Sequence, residues 1–362
     1  MGGGWGEGKL AFFSPSHSDG RGWGEGNLGR HPLPAACCLI DTIRPVVASL
    51  TDVLASVRAA VRAASTLCLA VGDPERLEKL EREPVTLADY GSQAVILRAA
   101  ALEFPDDRVI AEEGSGHLLG STGEDGATEI AALVGDAIGL PCSRHDVVAW
   151  IDHTGGLGGR TWAVDPIDGT KGFLRGDQFA VAVGILEEGV PVAGVLGCPR
   201  FEVAGTTGVL FWGGPGLGSF VEPLTGGEPK PVFVSSVTRA DATRVLGSVE
   251  AAHGDPSLVR ELIERVGLGG GWVRIDSQVK YGAVAAGLAE VYLRPRSRHD
   301  WRERVWDHAA GAAIVAGAGG TVTDLDGVPL DFTTGSVLEG NRGVLVTNGP
   351  LHGVILEALR VG

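Results

Sequence analysis

The sequence predicts a layered α/β protein, with a mixed or antiparallel sheet in its first half and alternating strands and helices in its second. Three patterns lead there. Val46, Leu50, Val53, Leu54, Val57, Val61 and Leu67 recur at helical spacing; "FAVAVGILEEGVPVAGVLG" reads as strand, Gly turn, strand; and beyond Pro231 short β-branched runs alternate with apolar helical segments.

Taken in order, residues 1–36 are Gly-dense, carry "GWGEG" twice (Gly4 to Gly8 and Gly22 to Gly26) and have no hydrophobic period, so a disordered extension is expected. They lack the charged start and apolar core of a secretory signal, and are neither Arg-rich nor acid-free like a transit peptide. Asp41 and Thr42 offer N-caps, and Pro45 a first turn, for a helix ending near Val71. A charged connector leads to a second helix opening near Thr86, then to a short strand ending at Glu112 and Glu113. Residues 114–153 read as polar loop with one helix over 130–138, followed by the strand "TWAVD". After the hairpin come strands at 209–212 and 219–224, and the Gly/Pro-rich piece Leu224 to Pro231 suggests a boundary between domains 37–228 and 229–362. In the second, strands at "RVLGSVE", "GWVRID", "AEVYLRP", "GTVTD" and "GVLVTNG" alternate with helices from Pro256 to Val266, through "QVKYGAVAAGL", after Trp306 and up to Leu359.

With 362 residues and 44% hydrophobic content the chain can bury a large core. A net charge of -15 argues against a nucleic-acid polymer or an anionic membrane as partner, because nothing compensates phosphate charge over a broad surface. The cysteines Cys37, Cys38, Cys68, Cys142 and Cys198 have neither zinc-site nor disulfide-framework spacing, which suits an intracellular protein with reduced thiols. The cytoplasm is the expected compartment, with plastid or mitochondrion as alternatives. No apolar run reaches the roughly 18 residues of a membrane span.

The chemistry concentrates in "DPIDGT". Asp165 should end a buried strand, Pro166 turns the chain, and Asp168 comes round to the same point with the Ile167 carbonyl freed from the ladder. Such an oxygen-only set suits Mg²⁺ rather than zinc or copper. Gly169 and Thr170 follow where a helix start offers unpaired N–H groups to a phosphate.

"PVTLADYGSQ", "FPDDRVIAEE", "DPIDGTKGFLRGDQFAVAVGIL", "GVLGCPR", "DSQVKYGAVAAGLAEVYLR" and "WDHAAGAAIVAGAGG", in this order, resemble the lithium-sensitive, magnesium-dependent phosphatase superfamily of the inositol monophosphatases, and within it the 3′(2′),5′-bisphosphate nucleotidases. The resemblance runs from about Ile40 to the C-terminus. It implies an αβαβα sandwich of the sugar-phosphatase type. It also implies Glu112, Asp165, Asp168, Asp307 and the Ile167 carbonyl as ligands of two or three Mg²⁺ ions, with Asp89 and Thr170 orienting and deprotonating the attacking water. Glu112 is preferred to Glu113 because the first Glu of the pair fills that role in the family. The nucleotide-holding residues map onto His253, Ser277, Lys280 and Arg294, beside Gly169 and Thr170.

Plainer readings exist: "TLAD" is close to a capping box, Asp307 sits where a helix-opening acid is common, and "RPRSRHDWRER" can be a solvated loop instead of a patch for a second phosphate. Two departures from the family pattern are "LEKLERE" before "PVT" and Ala111 in place of a glycine, and neither removes an implied ligand. The implied substrate is a small bisphosphate nucleotide, adenosine 3′,5′-bisphosphate first, then its 2′,5′ isomer and the 3′-phosphate of the sulfated nucleotide. Inositol 1,4-bisphosphate hydrolysis is the rival activity, and a non-catalytic nucleotide or thiol redox sensor the rival class. The sequence is silent on oligomeric state.

Overall fold

The larger of two sheets takes its seven strands in chain order: β1 (Arg108–Ala111), β2 (Arg160–Asp168), β3 (Ala180–Glu187), β4 (Val190–Val203), β5 (Thr206–Gly214), β6 (Gly218–Pro223) and β7 (Lys230–Val232). Only β1 and β2 run parallel; the rest is an antiparallel meander. The smaller sheet comprises β8 (Val245–Gly247), β9 (Trp272–Arg274), β10 (Val291–Arg294), β11 (Thr321–Thr323) and β12 (Val344–Thr347), in the order β11-β12-β10-β8-β9. The predicted Gly/Pro-rich boundary stretch thus lies beside β7. The protein is a computed structural model that describes residues 48–72, 84–249, 256–295 and 302–360. The predicted disordered extension 1–36, Cys37, Cys38 and His253 lie outside the described residues.

Nine helices among the described residues cover these sheets: α1 (Leu50–Val71), α2 (Pro84–Glu103), α3 (Ser115–Ile138), α4 (Arg144–Ile151), α5 (Thr170–Arg175), α6 (Pro256–Val266), α7 (Val279–Ala285), α8 (Ala309–Gly317) and α9 (His352–Arg360). Strand alternation sorts them into layers. Val181, Val183 and Ile185 of β3 join the core under α1 and α2, whereas Ala180 and Ala182 face the core shared with α7, α8 and the smaller sheet. In β10, Tyr292 joins that middle core while Val291 and Leu293 pack with α6 and α9. Helices, sheet, helices, sheet, helices: this is the expected αβαβα sandwich.

The middle helix layer depends on small residues. α8 is buried from Ala309 to Val315, and Gly184 of β3 lets it settle on the sheet, since a Cβ there would come within 2.5 Å of the Ala309 Cβ. That close seating fixes where the chain just before α8, including Asp307, meets the rim of the larger sheet.

Three expectations need correction. The helix that ends at Val71 opens at Leu50, where Ser49 and Asp52 form a reciprocal capping box; the expected caps Asp41 and Thr42 and the first-turn Pro45 lie outside the described residues. Residues 115–151 are mostly helical, as α3 and α4; the Gly-rich "SGHLLGSTGEDG" hides α3, which breaks at Gly123 (φ 65°, ψ -169°). The strand carrying "DPID" does not end at Asp165: β2 continues to Asp168 through an irregularity in which Asp165 pairs with Ala182 and Asp168 with Ala180. Pro166 is tolerated there because a bulge demands no ladder donor.

Candidate active site

The bulge in β2 aims its two carboxylates. Asp165 is 2% exposed, and its Oδ1 finds no hydrogen-bond partner among the described residues. Asp168 accepts a hydrogen bond from the backbone N–H of Gln278. The Pro166 carbonyl is held by the Ser92 hydroxyl at 2.9 Å, so α2 grips the bulge from behind. The Ile167 carbonyl accepts from Thr170 Oγ1 at 3.2 Å, and Gly169 (φ 90°) is the N-cap of the short α5.

Asp89 lies in α2, five residues past its start at Pro84, and is buried; Thr86 is already inside the helix and not its N-cap, so the capping-box reading of "TLAD" fails. Gln93, one turn further along, clamps the acidic loop after β1: its Nε2 donates to the Glu113 carbonyl at 2.7 Å and its Oε1 accepts from the Glu113 N–H at 3.0 Å. Asp307 precedes His308, the residue that caps α8.

These acids share one basin. Burial, then Asp307 and Glu113, push the Glu112 carboxyl up to about 7, against a hydrogen bond with Asp165. Burial raises Asp307 to about 6, with Arg294 opposing and Asp168 reinforcing. Asp165 is held well above the carboxylate range by burial and by Glu112, Asp168, Asp307 and Asp89 together. Burial, Glu112 and Glu113 do the same to Asp89. Five carboxyl groups that raise one another's proton affinity, one with an orphaned oxygen, are costly without a cation, and the donors are all hard oxygens. The set fits Mg²⁺.

A narrow cleft adjoins the basin, lined by Asp168, Gly169, Ser248, Asp276, Ser277, Lys280 and Arg294 among others. Lys280 is buried, donates to the Ile275 carbonyl at 2.9 Å and sits 5.1 Å from the Tyr292 ring centroid. Burial lowers its ammonium to about 8, with Asp168 pulling the other way, so it is cationic at neutral pH. Arg294 bridges Glu303 at 2.8 Å and Asp307 at 3.3 Å; burial works against its charge, but Glu303, Tyr292, Asp307 and Asp168 together outweigh it. Ser277 takes φ 64°, a left-handed conformation, and presses on Gly169: a Cβ added there would lie 3.0 Å from the Ser277 Cβ.

The structure therefore brings together Asp89, Glu112, Asp165, Ile167, Asp168, Gly169, Thr170, Ser277, Lys280, Arg294 and Asp307. Nothing in the sequence singles out Gln278 or Glu303. Among the described residues, the group whose ligand atoms do lie within 4.8 Å of one another is Glu303, Asp307 and His308, but Arg294 already holds Glu303 there. Cys68 and Cys198 are buried and burial drives their thiols strongly upward, so neither is a reactive redox centre.

An αβαβα sandwich with an oxygen-only acidic basin at a sheet rim, beside a cationic cleft, defines the class of metal-assisted phosphatases. Residues 49–360 match the model of the inositol monophosphatase family, and the chain belongs to that family. The 3′(2′),5′-bisphosphate nucleotidase of Oryza sativa is 37% identical over 335 residues, covering 85% of this chain and 93% of that protein. A probable 3′(2′),5′-bisphosphate nucleotidase 4 of Arabidopsis thaliana is 38% identical, covering 78% and 85%. The solved inositol monophosphatase from Anabaena has the same fold, with a TM-score of 0.59 at 24% identity, covering 86% of this chain and 96% of its own.

Proposed function

We propose that this chain hydrolyses the 3′-phosphate of adenosine 3′,5′-bisphosphate, releasing AMP and inorganic phosphate, with Mg²⁺ as cofactor. The observation that carries this reading is the sharing of Asp168 and Gly169 between the acidic basin and the cleft that holds Lys280 and Arg294. One phosphate can lie at the acidic, metal-holding end while a second meets the fixed cations, as a molecule with two phosphates requires. Relatives at 36–38% identity named as bisphosphate nucleotidases support the same substrate class.

Glu112, Asp165, Asp168, Asp307 and the Ile167 carbonyl would hold the metal, enough oxygens for two or three ions. When bound, Mg²⁺ neutralises phosphoryl oxygens and makes a water more acidic. The chain's own groups do the rest. Asp89, whose proton affinity is raised by burial and neighbouring acids, takes the water's proton. Thr170 Oγ1, anchored near the Ile167 carbonyl, orients that water. Lys280 and Arg294 hold the 5′-phosphate, and Ser277 meets the sugar or base edge.

The test is release of AMP and phosphate from adenosine 3′,5′-bisphosphate with Mg²⁺, with EDTA, and with Asp165→Asn. Activity confined to the Mg²⁺-supplied wild type supports the reading; turnover undiminished in EDTA or in the variant refutes it.

A further inference from the structure

The two segments that carry Asp168 and Asp307 meet at one buried amide. Gln278 is 1% exposed and makes three hydrogen bonds to them. Its backbone N–H donates to the Asp168 carboxylate. Its side-chain Nε2 donates to the Trp306 carbonyl at 2.9 Å, and its Oε1 accepts from the Gly311 N–H at 3.2 Å. Trp306 immediately precedes Asp307, and Gly311 lies in the first turn of α8 behind it.

The reason a remote residue does this lies in His308. A helix start leaves N–H groups without partners, normally met by the N-cap side chain. His308 makes no side-chain cap bond in α8, because its ring is committed elsewhere: Nδ1 to the Tyr281 hydroxyl at 2.7 Å and Nε2 to Glu303 at 3.2 Å. Gln278 supplies the missing cap from another segment, and its amide satisfies both Trp306 and Gly311 in only one orientation. The left-handed Ser277, pressed against Gly169, turns the next N–H onto Asp168.

We propose that Gln278 is a positioning residue for the metal basin: it sets Asp307 against Asp168 by capping α8 with its side chain and holding the β2 bulge with its backbone. This rests on the metal-site reading above. Residues that orient ligands without touching the metal typically change its affinity about 10–100-fold when replaced.

The experiment is titration calorimetry of Mg²⁺ into wild type, Gln278→Leu, and Gln278→Glu, which keeps the size and the acceptor but loses the donor to Trp306. Ile355→Ala, in the core of α9 far along the fold, is the matched destabilised control. The Kd for Mg²⁺ should rise about 10-fold in both Gln278 variants. The activating Mg²⁺ concentration should shift in step while kcat at saturating Mg²⁺ falls much less, and Ile355→Ala should leave the Kd alone. A Kd within twofold of wild type in either folded Gln278 variant, or an equal loss in Ile355→Ala, overturns the positioning role. A wild type that takes up no Mg²⁺ overturns the metal-site reading itself.

Discussion

Asp307→Asn should make the metal-free protein more stable while abolishing the stabilisation that Mg²⁺ confers. In the folded chain the Asp307 carboxyl is raised from 3.8 to about 6, by burial first and by neighbouring acids. The native state therefore holds this proton more tightly than the unfolded chain, and ionisation costs folding. The stability contributed by Asp307 is greatest below pH 3.8, declines as pH rises through the window up to about 6, and is flat above it. Its side chain is 19% exposed, so screening takes off little, and the cost at pH 8 is about 3 kcal/mol at about 1.4 kcal/mol per pH unit. An uncharged asparagine avoids that cost, which corresponds to a midpoint gain of roughly 5 °C for a chain of this size. By pH 4 the gap should shrink below about 1 kcal/mol. The assay is differential scanning calorimetry in EDTA at pH 8 and pH 4, repeated with excess Mg²⁺ at pH 8. In Mg²⁺ the wild type should gain stability with ligand concentration and the variant should not. A variant less stable than wild type in EDTA at pH 8, or equally shifted at both pH values, would refute the electrostatic reasoning.

Mg²⁺ affinity should rise between about pH 6 and 7, because Glu112 and Asp307 must shed protons to bind it; proton release on binding, measured by calorimetry in buffers of different ionisation enthalpy, counts them. Lys280→Met should raise KM for adenosine 3′,5′-bisphosphate roughly 10–100-fold with a smaller effect on a 3′-monophosphate, since it removes a charge-assisted bond to the second phosphate. Equal effects on both substrates would place Lys280 elsewhere. Gly194→Val should destabilise the fold by more than about 3 kcal/mol in urea unfolding, because any Cβ there drives into the Ala310 carbonyl and lifts α8 off the sheet. The buried Cys68 and Cys198 should resist a thiol reagent in the native protein and react only on unfolding, as mass spectrometry would show.

The acids of "DPIDGT", "AEE" and "WDHAAG" were legible because each stands in a short motif at the end of an apolar run, where a strand or helix edge exposes polar groups. The hairpin of β3 and β4 was legible because two apolar runs, buried on both faces through most of β3 and the middle of β4, flank a turn at Gly189. α3 was not, since its helical content comes from docking onto α2 and not from propensity in a Gly-rich stretch. Gln278 was invisible because its role is a matter of long-range geometry: Trp306 and Gly311 lie 28 and 33 residues away along the chain. Arg294 was legible as a cation, but its partnership with Glu303 and Asp307 needed the folded sheet rim to be seen.

The most direct test is the specificity constant for adenosine 3′,5′-bisphosphate against inositol 1,4-bisphosphate, measured side by side with Mg²⁺. Both molecules carry a second phosphate for Lys280 and Arg294, so the predicted preference for the nucleotide rests on the likeness to the bisphosphate nucleotidases. Turnover of the inositol substrate alone would leave the metal basin standing and contradict the nucleotide assignment.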